Sequence, residues 1–230
     1  MDENPLDFNF WPSFADMMLA IVFVLVLVLF VVVVVITAGT VNLSEVQESQ
    51  RTIISALEEA YKTKKIEEGT DVFSLSIDDA DIKDIWVYNQ PTTQRLTFTS
   101  NILFPQNRHE LNDRGRQVLK TVGLALKYEL ATISRIEIEG HADTVATRRY
   151  DSNLHLAAAR AIEVFSFFRD SVGIDPVSNL MSVASFGEYK PVSRAETDSV
   201  YTSKMLNQAN ETLEQQDRNR RIELLLFYRH

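Results

Sequence analysis

A single acid, Asp16, stands at the start of a long apolar stretch of the sequence. Met17 to Ile36 contains only Met, Leu, Ala, Ile, Val and Phe, and the next charged residue is Glu45. A carboxyl group held against the edge of a bilayer, away from bulk water, can bind and release a cation. The same acid would also stabilise the first turn of a helix, because it would face the positive end of the helix dipole. The sequence leaves both interpretations of Asp16 open.

The apolar stretch has the length of a membrane span. Its twenty residues would form a helix roughly 30 Å long at about 1.5 Å per residue, which matches the hydrocarbon core of a bilayer. Residues 1–11 include three acids but no Lys or Arg, so they lack the basic start of a cleavable signal peptide. We therefore predict a leader over residues 1–12 and an uncleaved transmembrane helix over residues 13–40.

Composition restricts the possible functions. The chain of 230 residues has a formal net charge of -9, which argues against nucleic acid as a partner, since nucleic-acid binding needs a basic surface. The sequence has no cysteine, which rules out disulfides and thiolate metal sites and is compatible with a periplasmic domain.

Residues 41–69 have the pattern of a helical connector. Ser44 and Gln47 have the spacing of a capping box that begins a helix. Two partners could cover one face of this helix. The face could pair with a second copy of the chain in a parallel coiled coil, which would place two copies of Asp16 close together, or it could pack on the domain of its own chain. The residues of that face recur every three or four positions: Leu43, Val46, Gln50, Ile53, Leu57 and Ala60.

Two regions follow the connector. Residues 70–93 contain two candidate strands, Val72–Ile77 and Ile85–Tyr88, and are predicted to be a small strand-rich linker. Residues 94–230 alternate strand and helix patterns in the order β-α-β-α-β-β. The predicted fold class is therefore α+β, with a single N-terminal transmembrane helix followed by a mixed sheet that has helices on one face. The predicted elements of this domain are strands Arg95–Phe98, Ile133–Gly140, Val183–Phe186 and Ile222–Tyr228 and helices Leu111–Tyr128 and Asn153–Asp170.

Four separated motifs of residues 94–230 resemble those of the OmpA-like peptidoglycan-binding domain in residue type, spacing and order. The motifs are Gly140-His141-Ala142-Asp143, Asn153 to Ala161, Phe186-Gly187-Glu188 with Pro191, and Asn219-Arg220-Arg221-Ile222-Glu223. The resemblance implies a domain that binds the diaminopimelate of a cell-wall peptide, which is a small zwitterion. By position in these motifs, the implied peptidoglycan-binding residues are Asp143, Asn153, Leu156 and Arg160.

The residue types suit such a ligand. Arg160 can clamp a carboxylate with two hydrogen bonds, Asp143 can hold an ammonium group, and the amide of Asn153 can serve either. Asp143 and Arg160 can instead form a structural ion pair between a strand and a helix. The sequence does not decide between these two interpretations.

The chain departs from the family pattern around this site. Ala142 stands where Thr is usual and Ala157 where Ser is usual, and the loop before Asn153 is longer than in common members. These changes are expected to reshape the rim of the pocket. Residues 192–216 resemble the variable insertion of the family and are predicted to be a loop with a short helix, Lys204–Glu214.

Catalytic and metal sites are not predicted. His141, Asp143 and His155 could suggest a metal site, but no dense cluster of further ligands accompanies them, and His141 belongs to the motif of the domain. No Ser-His-Asp order, phosphate loop or catalytic pair of carboxylates rises above chance. The sequence therefore predicts that the protein is not an enzyme and has neither a cofactor nor a metal.

The surroundings of Asp16 carry a second resemblance. Ser13-Phe14-Ala15-Asp16 with Met18 resembles the start of the span in the B subunits of ion-driven bacterial motor stators, the MotB family, whose Tyr/Phe-Ala-Asp carries the ion-binding carboxylate. The resemblance implies that Asp16 translocates ions in a complex with MotA-type membrane subunits. The acidic leader, the Val-rich span and the Pro-Ser-Phe-Ala-Asp opening are more similar to ZorB, the membrane subunit of the Zorya anti-phage defence system.

Likeness to ZorB implies a proton-driven complex in the bacterial inner membrane, with five ZorA-type subunits around two copies of this chain. The N-terminus would be cytoplasmic, lipid would surround the span, and the periplasmic C-terminal domain would bind peptidoglycan. Two other functions stay open, namely a flagellar stator subunit and a structural tether between the inner membrane and the cell wall that conducts no ions. A carboxylate serves protons or sodium ions, so the sequence does not distinguish them.

Overall fold

The residues that the computed structural model describes are 11–61, 66–69, 71–75, 85–195 and 197–229. The predicted leader over residues 1–12 therefore lies almost entirely outside the described residues. The chain divides into two compact units, residues 1–44 and residues 45–230, and each is considered by itself.

The first unit contains the N-terminal part of one long helix, α1 (Trp11–Tyr61). Within the described residues, Trp11–Ile36 is the one helical segment long and apolar enough to cross a membrane, and its side chains are exposed to the surroundings of the chain. A helix that is apolar on all sides and unburied fits a lipid environment. Asp16 is also exposed, and it lies beyond the first turn of the described helix, which contains no acid. The structure therefore does not place Asp16 in a first helical turn.

The second unit contains the C-terminal part of α1 and the remaining elements. Its strands are β1 (Ile66–Gly69), β2 (Val72–Leu75), β3 (Ile85–Asn89), β4 (Thr93–Thr99), β5 (Ile133–His141), β6 (Leu180–Gly187) and β7 (Arg221–Tyr228). Its further helices are α2 (Ser100–Leu103), α3 (Asp113–Tyr128), α4 (Asn153–Phe167), α5 (Ser203–Gln208) and α6 (Leu213–Asn219), with a π-helical turn, Phe168–Val172, after α4.

These strands form one mixed sheet in the order β1-β2-β3-β4-β7-β5-β6. Neighbouring strands are antiparallel except β5 and β6, which are parallel and are joined by the crossover helix α4. Side chains alternate between the two faces of a strand. The register partners Leu96, Leu224 and Ile138 lie on the inner face and are fully buried under the helices. The residues next to them along each strand lie on the opposite face, which we call the outer face.

Helices α3 and α4 contribute to the core, and each begins at a capped end. The side chains of Asn112 and Ser152 accept hydrogen bonds from backbone N–H groups of α3 and α4, at 2.6 and 3.1 Å. At Gly140, β5 approaches α4 so closely that a Cβ atom would lie 2.1 Å from the carbonyl oxygen of Ala157. Glycine permits this approach, which brings the motif residues of β5 next to those of α4.

The C-terminal part of α1 packs on the sheet within the second unit. Ile53 and Leu57 are fully buried, in one apolar cluster with the inner face of the sheet. The side-chain amide of Gln50 donates to the carbonyl oxygen of Gln90 at 2.9 Å, and Gln94 donates to the carbonyl oxygen of Gln50 at 3.1 Å. Of the two interpretations of this face, the structure shows a helix on its own domain. The coiled-coil interpretation of these residues is therefore wrong.

Two predicted boundaries also differ from the structure. The connector helix was predicted to reach Gly69, but α1 ends at Tyr61 and β1 occupies residues 66–69. The two candidate strands of residues 70–93 are β2 and β3, yet they do not form a separate linker, because β3 pairs with β4 along its whole length. Periodicity identifies a strand but not its neighbour in the sheet, so the sequence missed that the sheet continues across residue 94.

The polar insertion contains two short helices instead of the single one predicted. The capping box of Thr212 with Gln215 begins a new helix, α6, inside the segment expected to be one helix. The insertion thereby leads directly into β7 through the motif that begins at Asn219, which is buried.

Candidate functional site

The four residues implied by the motifs line one cavity of about 380 Å³ in the second unit. Asp143 follows β5, and Asn153, Leu156 and Arg160 lie on consecutive turns of α4. The other lining residues come from α2, from the loop after α2, from the loop after β5 and from the junction of α6 with β7: Ser100, Asn101, Gln106, Asn107, Ala142, Val145, Asp217 and Arg220. The close approach of β5 to α4 thus brings together residues that are ten or more positions apart.

Arg160 is a buried cation at this cavity. Only 4% of it is exposed, and its Nε donates to the carbonyl oxygen of Arg108 at 2.9 Å while Nη1 donates to the hydroxyl of Ser100 at 3.3 Å. Burial lowers the pKa of Arg160 to about 10, so the guanidinium is still charged at neutral pH. Among the residues that the structure describes, Arg160 makes no ion pair with a carboxylate. A buried guanidinium held by neutral oxygens suits an anionic ligand group such as a carboxylate.

Asp143 is held by three elements at once. One of its carboxylate oxygens accepts from the backbone N–H of Val145 at 3.1 Å, and the other forms an ion pair with Arg220. The amide of Asn153 donates to the carbonyl oxygen of Asp143 at 3.0 Å. The direct Asp143–Arg160 ion pair that the sequence left open is therefore not what the structure contains.

Sequence reasoning missed two charged residues of this cavity. Arg220 forms ion pairs with both Asp143 and Asp217, so it joins the end of β5 to α6. Arg220 lies within the last of the four motifs, which implies no role for it, and Asp217 directly follows the insertion predicted to be a loop with a short helix. The ion pair of Arg220 with Asp143 spans 77 positions of sequence, and no local spacing could have indicated it.

The longer loop before α4 is tied down beside the cavity. The hydroxyl of Tyr150 lies 2.6 Å from Nδ1 of His109, and its ring makes an edge-on contact with His155, with centroids 5.7 Å apart. Tyr150 also contributes to the electrostatic field at Arg160. This loop therefore supplies an aromatic side chain, that of Tyr150, to the surroundings of the site.

The residues once considered as metal ligands do not come together. Asp143 is paired with Arg220, and His155 is exposed, with Asp151 3.4 Å from its Nδ1. Within the described ranges, a different trio has ligand atoms within 4.8 Å of one another: Glu139, His141 and Glu223, all buried.

Cations already occupy the carboxylates of this buried trio. Lys190 lies 3.1 Å from Glu139, and Nε of Arg221 donates to Glu223 at 2.6 Å. A divalent metal ion would have to share these carboxylates with two fixed positive charges, which is electrostatically unfavourable. The trio is therefore a poor metal site.

All three groups of the trio have lowered pKa values. Burial lowers the pKa of His141, and it outweighs the opposing influence of Glu139. Burial acts to raise the pKa of Glu223, but Arg221, His141 and Arg95 overcome it and lower that pKa to about 2. His141 is fully buried and stacks on Phe186, with ring centroids 5.3 Å apart. His141 of this cluster lies two positions before Asp143 in the sequence, and the cluster links the end of β5 to β7.

Residues 103–220, slightly more than half of the chain, match the OmpA family. A peptidoglycan-associated lipoprotein of Buchnera aphidicola is 28% identical over 111 residues, which are 48% of this chain and 60% of the relative. Motility protein B of Bacillus subtilis is 26% identical over 125 residues, which are 51% of this chain and 41% of the relative. The chain thus spans about half of the length of these curated relatives.

Solved structures share the fold. A protein from Desulfovibrio vulgaris described as MotB-like superposes with a TM-score of 0.56 at 20% identity, covering 83% of this chain and 96% of that one. The periplasmic domain of Helicobacter pylori MotB superposes with a TM-score of 0.52 at 18% identity, covering 73% of this chain and 88% of that one. At this level of identity the likeness concerns the fold, and it confirms the predicted fold class.

Proposed function

Because the chain belongs to the OmpA family, we propose that it anchors a membrane complex to peptidoglycan through the cavity of Asp143 and Arg160. The observation that carries this proposal is the state of Arg160, a buried guanidinium with no carboxylate partner among the described residues. The peptidoglycan-associated lipoprotein is a relative whose name states the same ligand. The cavity volume of about 380 Å³ lies within the range of small-ligand sites.

The charged residues of the cavity suit the two kinds of charge on diaminopimelate. Arg160 receives a carboxylate through its remaining guanidinium hydrogens, and the carboxylates of Asp143 and Asp217, which line the same cavity, attract the ammonium group. Arg220 lies between these two acids and holds both of them. Leu156 lines the same cavity and offers an apolar surface to the carbon chain of the ligand, while the amide of Asn153 bonds the backbone next to Asp143.

Co-sedimentation of the full chain in detergent with purified sacculi tests this site. Arg160→Gln is expected to reduce the bound fraction at least about tenfold, because a hydrogen-bonded charge is lost. Arg116→Gln, a change on the exposed side of α3, is the matched control and is expected to bind normally. Sacculi that contain lysine in place of diaminopimelate lack the second carboxylate, and the wild type should bind them as weakly as Arg160→Gln does. Equal binding of both kinds of sacculi by the wild type would contradict the role given to Arg160.

The apolar N-terminal part of α1 and Asp16 support a motor role for the same protein. In this proposal, Asp16 is the ion-binding carboxylate of a stator-type complex, and the wall-bound domain holds this subunit still while a ring of partner subunits turns. Its support is the position of the acid beside an exposed apolar span, where a plain tether needs no acid. The complex would hold five MotA- or ZorA-type subunits around two copies of this chain, in the inner membrane, with the N-terminus cytoplasmic and the second unit periplasmic.

Substitution of Asp16 separates the motor from a tether. Asp16→Asn keeps the shape of the side chain but cannot exchange a proton, so membrane insertion and sacculus binding should be normal while ion-driven activity is lost. Asp16→Glu keeps the carboxyl and is expected to retain part of the activity. Full activity of Asp16→Asn would remove the ion-carrying role and leave a structural tether.

Within stator-type proteins we propose a ZorB-like role in anti-phage defence. Its support is the likeness of the Val-rich span and the Pro-Ser-Phe-Ala-Asp opening to those of ZorB. Expressed with the products of its neighbouring genes, the chain is expected to protect cells against phage and not to restore swimming to a stator-deficient strain. Loss of protection on adding a protonophore, but not on removing sodium, would identify protons as the driving ion. Restored swimming without protection would contradict the defence role.

A further inference from the structure

A second and larger cavity lies on the outer face of the sheet. Its volume is about 570 Å³, and it shares no lining residue with the cavity of Asp143 and Arg160. Its floor is formed by β3, β4 and β7, and one wall is formed by residues 190–195, where the chain leaves β6 and enters the insertion. We call it the outer cleft.

The outer cleft is positively charged although the chain as a whole has a net charge of -9. Glu223 is the one carboxylate among its lining residues, whereas five cations line it: Arg95, Lys190, Arg194, Arg218 and Arg221. Lys190 and Arg221 are paired with carboxylates, as described above. Within the described part of the chain, Arg194 and Arg218 make no ion pair. Guanidinium groups without a carboxylate partner recognise carboxylate and phosphate groups of ligands.

Two aromatic rings border the same cleft. Trp86 and Tyr88 lie on β3 with their side chains on the outer face, and both are partly exposed. Their register partners in β4 are Thr97 and Arg95, which also line the cleft, so rings and cationic groups stand side by side on adjacent strands. A ligand that uses both surfaces combines an anionic group with a ring that has an apolar face.

From charge and aromatic surface together, we propose that the outer cleft binds an anionic saccharide, a sugar ring that carries a carboxylate or a phosphate group. The anionic group lies at Arg194 and Arg218, and the ring lies against Trp86. A protein partner suits this surface less well, because stable protein interfaces bury about 800 Å² on each side and are not confined to a small concave cavity. The proposal is independent of peptidoglycan binding at Arg160.

The fluorescence of Trp86 provides the test. The chain has two tryptophans, so Trp11→Phe leaves Trp86 as the single indole. The full chain with this change, in detergent micelles, is titrated with glucuronate and with glucose 6-phosphate, and with glucose and inorganic phosphate as separate controls. We expect a saturable change with at least one anionic sugar, and the preferred probe tells a carboxylate ligand from a phosphate ligand. Glucose and phosphate alone should bind at least about tenfold more weakly.

Variants of the cleft assign the binding to these residues. Arg218→Gln and Arg194→Gln are each expected to weaken the anionic sugar about tenfold or more, because each removes a charged contact. Arg116→Gln on α3 is the matched control and should leave the affinity unchanged, and sacculus binding should be normal in all three variants. No saturable response to either anionic sugar would overturn the proposal. So would inorganic phosphate or an acidic peptide binding as tightly as the sugar, or equal affinity in Arg218→Gln.

Discussion

At the scale of single residues, two arginines of one cavity have opposite roles because their partners differ. Arg160 is buried without a carboxylate partner in the described chain, so it keeps its charge for a ligand. Arg220 is already shared by Asp143 and Asp217, so its charge holds those acids in place. Residue type alone does not separate these roles, since both side chains lie at the same cavity.

Replacement of Arg220 tests its positioning role. Arg220→Gln removes the ion pair that orients Asp143 toward the cavity, and it leaves two carboxylates close together without a cation. Sacculus binding by the full chain is therefore expected to fall about tenfold, as for loss of a charge-assisted hydrogen bond. Arg218, an exposed arginine two positions before Arg220, offers a matched control, and Arg218→Gln should bind sacculi normally. If Arg220→Gln also bound normally, the orientation of Asp143 would not depend on this ion pair.

The buried histidine makes stability depend on pH. Because the pKa of His141 in the folded state is lowered from 6.5, the unfolded chain takes up a proton at a higher pH than the folded chain does. The stabilisation is therefore complete above pH 6.5 and is lost as the pH falls through the window below it. The pKa values of Glu139 and Glu223 are lowered from 4.5, so their contributions are lost only at lower pH.

Urea titrations between pH 5.5 and pH 7.5, roughly bracketing the ordinary histidine pKa, isolate this effect. The free energy of unfolding of the second unit should decrease as the pH is lowered, by up to about 1.4 kcal/mol per pH unit, which is the limit for one proton. His141→Asn should be less stable but should lose most of this slope. His155→Asn, at an exposed position, should keep it. An unchanged slope in His141→Asn would assign the pH dependence to another group.

The position of the four expected site residues at one cavity could be predicted, because the motifs that contain them lie close together in the sequence. Asp143 lies in the loop after β5, and Asn153, Leu156 and Arg160 lie on the next helix, α4. Their binding of peptidoglycan is a proposal. Arg220 and Asp217 could not be predicted in their roles, because their position depends on how β7 enters the sheet beside β5. The second cavity was missed for a related reason, since its walls come from strands distant in sequence.

At the scale of elements, the N-terminal and C-terminal parts of α1 differ in which of their faces are apolar. Its N-terminal part is apolar on all sides, and its C-terminal part buries one face against the sheet of the same chain. The recurrence of residues every three or four positions correctly predicts a helix face, but it does not say what covers that face. The strands β1, β2 and β3 were likewise detectable from alternation, whereas their pairing with β4 was not.

Truncation of the buried face of α1 is expected to destabilise the second unit. Ile53 is fully buried, so Ile53→Ala leaves a cavity and should lower the free energy of unfolding by about 2–5 kcal/mol. Leu124→Ala is the matched control, because Leu124 is 43% exposed on α3 and should cost far less. Urea titration of the full chain in detergent measures both. Equal stability of the two variants would mean that α1 leaves the domain in solution.

Ile53→Ala also separates folding from self-association. The coiled-coil interpretation required this residue to hold two chains together, whereas in the structure its side chain is covered by its own domain. Analytical ultracentrifugation under folding conditions should therefore give the same association state for Ile53→Ala and the wild type. A dissociated variant with unchanged folding would restore the coiled coil.

At the scale of the whole molecule, the chain joins a unit suited to lipid and a unit suited to the cell wall. The first unit carries the proposed ion site and the second carries the proposed anchor, so each is open to substitution without the other. Since the C-terminal face of α1 is occupied by its own domain, the proposed pairing of two chains has to come from other surfaces, such as the span itself or the partner ring. The number of copies of this chain in the complex can then be tested by asking how many Asp16 carboxylates its activity needs.

Mixed expression counts the chains in the working complex. Wild type and Asp16→Asn are expressed together at equal levels with the partner subunits, and proton uptake by the cells is measured because it is a graded readout. If two copies pair at random and both carboxylates are needed, only about one quarter of the pairs are fully wild type, and uptake should fall to about one quarter. If each chain conducts alone, uptake should fall to about one half. Mixing wild type with Arg116→Gln controls for expression and should leave uptake unchanged. A fall to one half in the mixture with Asp16→Asn would contradict the proposed pair.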